Sequence, residues 1–152
     1  MGQSTIKTGW LDHMSEEMDL RKRREDSIVD RIVRRAHWLE PHDRELVFSM
    51  FRDGHSANTI SKITGECPRQ VRRRIKRLVS RLNDPRVAYV VAHADAWSKS
   101  RKAIARSLYI QGRSMRETTD TLGVSFYCVR KNREAIEAMA LAPKNTTRTW
   151  RS

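Results

Sequence analysis

Between Cys67 and Leu82 the chain carries seven Lys or Arg residues and no Asp or Glu. Val71, Ile75, Leu78 and Leu82 recur at helical spacing, which predicts one amphipathic helix with an apolar stripe. Pro68 can occupy its first position, where a missing N–H costs nothing. Arg69, Gln70, Arg72, Arg73, Lys76 and Arg77 then fall on or beside the wet side of that helix. These side-chain types share one chemistry. A guanidinium presents paired N–H donors that match guanine N7 and O6, a carboxamide matches adenine, and the remaining cations neutralise phosphates. The bland alternative is a solvated basic face. That many like charges without a counter-charge on one helix repel one another, which favours a polyanionic partner.

A helix of this kind needs a brace. Gly54 ends an apolar-periodic segment carrying Leu46, Val47, Met50 and Phe51, and Ser56 is a good N-cap for a short helix over Ala57 to Thr64. Gly65 supplies the backbone freedom for a sharp turn at 65–67 before the basic helix. The bulk composition agrees with this picture. The chain has 152 residues, a formal charge of +13, 38% hydrophobic and 32% charged residues, which leaves room for one ordinary domain or two small ones with a lean core. Nucleic acid is the first polyanion to consider and an acidic membrane surface the second. No apolar run approaches the roughly 18 residues of a membrane span, and no signal-peptide core opens the chain, so the expectation is a cytoplasmic, nucleoid-associated protein without a membrane partner. Cys67 and Cys128 are too few for a disulfide framework or a zinc site. Cys67 stands at a cap position, where a redox switch is the minor alternative to a plain reduced thiol.

Sliding the sequence against itself by 58 residues places Gly54 on Gly112, Ser56 on Ser114, Gly65 on Gly123, Val71 on Val129 and Arg72 on Arg130. Upstream, Asp26 meets Asp84, Val29 meets Val87, Val33 meets Val91 and Ala36 meets Ala94. The matches fall at turns, caps and core positions. The expectation is an all-α chain of two tandem small helix-turn-helix units, each a tri- or tetrahelical bundle. Residues 1–14 read as a flexible N-terminal arm. Residues 15–82 read as an N-terminal helix, starting at Ser15, plus the first unit. Residues 84–140 read as the second unit with its turn at 123–125, and 141–152 as a basic disordered tail. Asp84 as N-cap and Pro85 after it make the junction a clean helix restart.

The stretch Asp43 to Leu82 resembles the helix-turn-helix domain of the fourth conserved region of bacterial sigma factors and its relatives among response-regulator output domains. Arg101 to Ala138 is similar and has the more standard turn Leu122–Gly123–Val124–Ser125. The resemblance implies that the last helix of each unit enters the major groove, with Arg69, Gln70, Arg72, Arg73 and Lys76 facing DNA in the first, and Tyr127, Arg130 and Lys131 in the second. Arg77 joins them on the basic face. Ser61 and Thr119 depart from the small residue usual in that family, Glu66 from an apolar one, and Arg133 from the apolar residue matching Ile75. Nothing resembles the sigma-factor segment that opens promoter DNA and grips polymerase.

The second basic helix sets Arg130, Lys131 and Arg133 against Glu134 and Glu137, so it reads as a second DNA reader or as a protein-contact or homodimerisation module. The block Arg21–Lys22–Arg23–Arg24 reads equally as a phosphate-gripping arm or a solvated helix surface. Trp38 and Trp97 read as core caps rather than base stackers. No histidine pair has metal spacing, and no phosphate loop or nucleophile elbow exists, so no catalytic residue, metal or cofactor is expected. The expectation is therefore a sequence-preferring double-stranded DNA-binding protein, a bacterial or phage-type transcriptional regulator and not an enzyme. The alternatives are the DNA-recognition component of a mobile-element or packaging system, an adaptor that holds RNA polymerase, and non-specific nucleoid or RNA binding.

Overall fold

A computed structural model describes residues 9–142, with side chains over 20–142. Among the described residues the chain is all-α, with eight helices and no strand: α1 (Gly9–Arg35), α2 (Pro41–Val47), α3 (Ala57–Thr64), α4 (Pro68–Asn83), α5 (Pro85–His93), α6 (Lys99–Ala105), α7 (Met115–Leu122) and α8 (Phe126–Leu141). One 3-10 turn, Ala36–Trp38, follows α1, and another, Ala94–Ala96, follows α5. The helices α2 and α6 each widen into a π-helical turn, over Phe48–Arg52 and Arg106–Ile110. From the end of α1 onward, each boundary from Ala36–Trp38 to α4 recurs at the same residue offset from Ala94–Ala96 to α8.

The caps explain those boundaries. Ser56, Ser98, Ser114 and Ser125 each accept a backbone N–H in the first turn of the helix they precede. Ser114 and Glu117 pair reciprocally as a capping box. Asp84 accepts from the Arg86 backbone N–H at 2.9 Å, so the chain breaks for one residue between α4 and α5 and restarts at Pro85. Two residues beyond the π-turns stand Gly54 and Gly112, whose φ values of 74° and 67° lie where side chains other than glycine are strained. The N-terminal helix differs from expectation. It begins at Gly9 rather than Ser15, so residues 9–14 belong to α1 and not to an arm. No proline interrupts the stretch, Asp12, Glu16, Glu17 and Asp19 precede its first arginine, and Arg34 and Arg35 close its last turn, the order that suits the helix dipole. Residues 1–8 of the arm and 143–152 of the basic tail lie outside the described residues.

Two apolar nuclei organise the fold. The first gathers Ile32, Ala36 and Leu39 with Leu46, Val47 and Phe48 of α2 and its π-turn, Ala57 and Ile60 of α3, and the stripe Val71, Ile75, Leu78 and Leu82 of α4. The second holds Val87, Val90, Ala105, Tyr109 and Ile136. It is smaller: Thr118, hydrogen-bonded to the buried Ser107 at 2.8 Å, stands at the place of Ile60, and Arg133 and Ala140 stand at the places of Ile75 and Leu82. Trp38 packs against both nuclei and Trp97 against the second, as expected of core caps. Residues 20–28 of α1, including Arg21–Arg24, are exposed, with Leu20 and Ile28 in the open.

Polar bridges hold the two nuclei in register. Arg81 of α4 donates to the Ile110 carbonyl at 3.0 Å, and its guanidinium fills the space a Cβ on residue 112 would need. Glu40, just ahead of α2, accepts from Arg106 at 2.8 Å and from Gln111 at 3.2 Å. Hydrogen bonds from Arg106 and then Gln111 hold the Glu40 carboxyl below the ordinary glutamate range. A depressed folded-state pKa contributes stability above the unfolded value and loses it as pH falls through the folded one. Glu40→Gln is therefore expected to lower the thermal midpoint at neutral pH by a contribution on the order of 0.5 kcal/mol, small because Arg106 is largely solvated. The gap to wild type should close as the pH is taken down through the acid range. A gap independent of pH in thermal melts would remove Glu40 from the bridge.

Candidate nucleic-acid interface

The turn between α3 and α4 is fastened by residues that depart from the resembled family. Gly65 takes φ 77° and caps α3 through its N–H to the Ser61 carbonyl at 2.9 Å. The Ser61 hydroxyl donates to the Glu66 carbonyl at 2.6 Å, and the Thr64 hydroxyl to the Ile60 carbonyl at 3.0 Å. Glu66 has a partner at this turn: its carboxylate accepts from Arg74 at 3.1 Å. Asp43 on α2 takes the same guanidinium at 2.7 Å and lies 3.8 Å from Arg81. The angle at which α4 leaves the bundle is thus set twice, by the apolar stripe and by this acidic pair.

That arrangement corrects one expectation. The seven cations of α4 do not all lack counter-charges, since Arg74 and Arg81 are paired and half-buried. The partners come from α2 and from the turn, outside the helix's own sequence. Burial pushes the Arg81 guanidinium pKa down, against the opposing pull of Asp43. Arg69, Gln70, Arg72, Arg73, Lys76 and Arg77 are all exposed. Among the described residues none of the five cations in this set joins an ion pair. Arg72 donates to Asn58 Oδ1 of α3 at 3.2 Å, which orients its guanidinium without neutralising it. Residues from α3 therefore take part in presenting the basic face, a role the helix sequence alone did not signal.

At the start of α8, Tyr127 is 60% exposed, and Arg130 and Lys131 are exposed beside it. Both cationic groups stand 5.7 Å from the Tyr127 ring centroid, within cation–π range. Arg130 lies 3.7 Å from Glu134, and Arg133 bonds Glu137 at 2.9 Å. The nine anticipated side chains thus form two groups, one a purely basic face on α4 and the other an aromatic and cationic end on α8. Phe126, 49% exposed beside Tyr127, was not anticipated. Its signal was an aromatic residue directly after the serine cap, where the first half of the chain has Pro68.

Arg113, in the loop before α7, is also new, and it lines a cleft shared with α4. Tyr109 lies in the same cleft, and its hydroxyl is buried without a hydrogen-bond partner. Burial, then the nearby Glu137 carboxylate, pushes the Tyr109 phenol up to about 12, so it remains a donor at any physiological pH. Cys67 and Cys128 are free thiols. Among the described residues no three His, Cys, Asp or Glu side chains gather as a metal site requires, and no helix is long and apolar enough to cross a membrane. No family model, curated protein or solved structure matches this chain.

Proposed function

We propose that the chain is a sequence-preferring double-stranded DNA-binding protein made of two tandem helix-turn-helix units, acting in the cytoplasm as a transcriptional regulator of bacterial or phage type. The observation that carries the reading is the exposed, unpaired basic face of α4 on a helix anchored from behind by Val71, Ile75, Leu78 and Leu82. Arg69, Gln70, Arg72 and Arg73, near the start of the helix, read base edges in the major groove, where the leading residues of such a helix reach. Lys76 and Arg77, further along, neutralise phosphates. The recurrence of the same elements and positive-φ glycines in the second half supports a duplicated unit, in keeping with the sigma-factor resemblance.

The second unit extends the site through Tyr127, Arg130 and Lys131, as a second reader about one helical turn away. A second reading has its own support. Phe126 and Tyr127 form an exposed aromatic pair, and glutamates offset the charge behind them, which suits contact with a protein such as RNA polymerase or a second copy of the chain. Selection of bound duplexes from a random pool at about 150 mM salt, where non-specific affinity is weak, tests the main reading. A recovered site with two conserved clusters supports both units reading DNA. One cluster leaves α8 to a protein partner, and recovery without any preferred sequence contradicts the proposal.

A further inference from the structure

The exposed side of α4 does not end at open solvent. Arg73, Lys76 and Arg77 also line a cleft of about 670 Å³ whose far wall is the loop leading into α7, with Arg113 and Ser114. Other cations in the cleft are already engaged. Arg86 bonds Asp84 at 2.7 Å and Glu137 at 3.2 Å, Arg133 bonds the same Glu137, and Arg81 bonds the Ile110 carbonyl. Arg73, Lys76, Arg77 and Arg113 make no ion pair among the described residues, whereas the cleft's two carboxylates, Asp84 and Glu137, are already held by Arg86 and Arg133, so the lining keeps an excess of positive charge. The floor carries a second, independent mark. Tyr109 is only 8% exposed, and its hydroxyl has no partner, a state that is costly for a buried donor.

We infer that this cleft is a phosphate subsite filled by the backbone of bound duplex, with Lys76, Arg77 and Arg113 as its ligands and the Tyr109 hydroxyl as a donor from the floor. The inference rests on the duplex-binding reading above and adds where the strand passes between the two units. The backbone is favoured over a free phosphate because the cleft is continuous with the basic face, Arg73, Lys76 and Arg77 belonging to both. Ser114 is not among the ligands: its backbone N–H is taken by Glu117 at 2.7 Å. The two units thereby act as one clamp, and a residue outside both recognition helices contributes to affinity without reading sequence.

The test is the salt dependence of duplex binding by the full chain, using a mixed-sequence duplex of about 30 base pairs. Arg113→Ala is expected to weaken binding about fivefold and to lower the log-affinity against log-salt slope by about one, with the same sequences preferred. Arg113→Lys should restore most of both. Tyr109→Phe should also weaken binding several-fold while raising the thermal midpoint of the free protein, because the unpaired hydroxyl is gone. A slope and affinity unchanged by Arg113→Ala, with wild type still binding duplex, overturn the cleft and leave the groove reading standing. Inorganic phosphate that raises the wild-type midpoint but not that of Arg113→Ala, with duplex slopes unchanged, assigns the subsite to a free phosphate and overturns the backbone assignment. Wild type that binds no duplex at all contradicts both readings.

Discussion

The double substitution Arg69→Ala with Arg72→Ala is expected to cost at least about thirtyfold in affinity for a selected duplex, since each guanidinium pairing with a base is worth about 1–3 kcal/mol and the two together about 2–6 kcal/mol. The loss should be far smaller on unrelated duplex, where these side chains have no matched base and contribute only as charges. Discrimination between the two duplexes therefore collapses. Thermal stability should barely move: both residues are exposed, and only the Arg72 to Asn58 hydrogen bond is lost. Titration of both duplexes at one salt concentration separates the outcomes. An equal fractional loss on selected and unrelated duplex would mean that these arginines touch phosphate only, and that base reading lies elsewhere.

Leu82→Ala is expected to be the most damaging single change to the fold. Its side chain has no exposed surface, and it closes the apolar stripe of α4 at the point where the chain turns into α5. Arg35 at the end of α1 donates to the Leu82 carbonyl at 2.8 Å, so three helices meet there. Truncation of a buried leucine costs about 3 kcal/mol through lost transfer energy and the cavity left behind. For a chain of this size that lowers the thermal midpoint by about 10 °C. Ile63→Ala is the matched control, because Ile63 is 71% exposed on α3, and it should change the midpoint by less than about 2 °C. Comparable losses from both would mean that the buried stripe of α4 does not hold the first apolar nucleus together.

The short helix Ala57–Thr64, the glycine turn and the start at Pro68 were readable because each boundary has a local chemical cause in cap, glycine or proline. The second half was readable by comparison with the first, and its elements begin and end where the repeat places them. The start of α1 was missed, since Gly2, Gly9 and mixed polarity suggested an arm, although Trp10, Leu11, Met14 and Met18 recur at helical spacing. Among the candidate site residues, exposure followed directly from helical spacing on α4. Pairing did not. Arg74 and Arg81 look like their neighbours in the sequence, and only the placement of Asp43 and Glu66 against α4 tells them apart. Phe126 and Arg113 escaped for a related reason. One sits on a helix whose net charge is modest, and the other is a loop residue that shares a cleft with α4 only once the chain is folded.

The central claim is that the exposed face of α4 enters the major groove of a duplex. Methylation of guanine at N7 places a group in that groove alone, at the acceptor an arginine would use. Partial methylation of a selected duplex, followed by separation of bound from free, reads the contact base by base. A few guanines are expected whose methylation excludes the duplex from the bound fraction, and that exclusion should fade for the Arg69→Ala, Arg72→Ala protein. Binding indifferent to every N7 methyl group would contradict the claim.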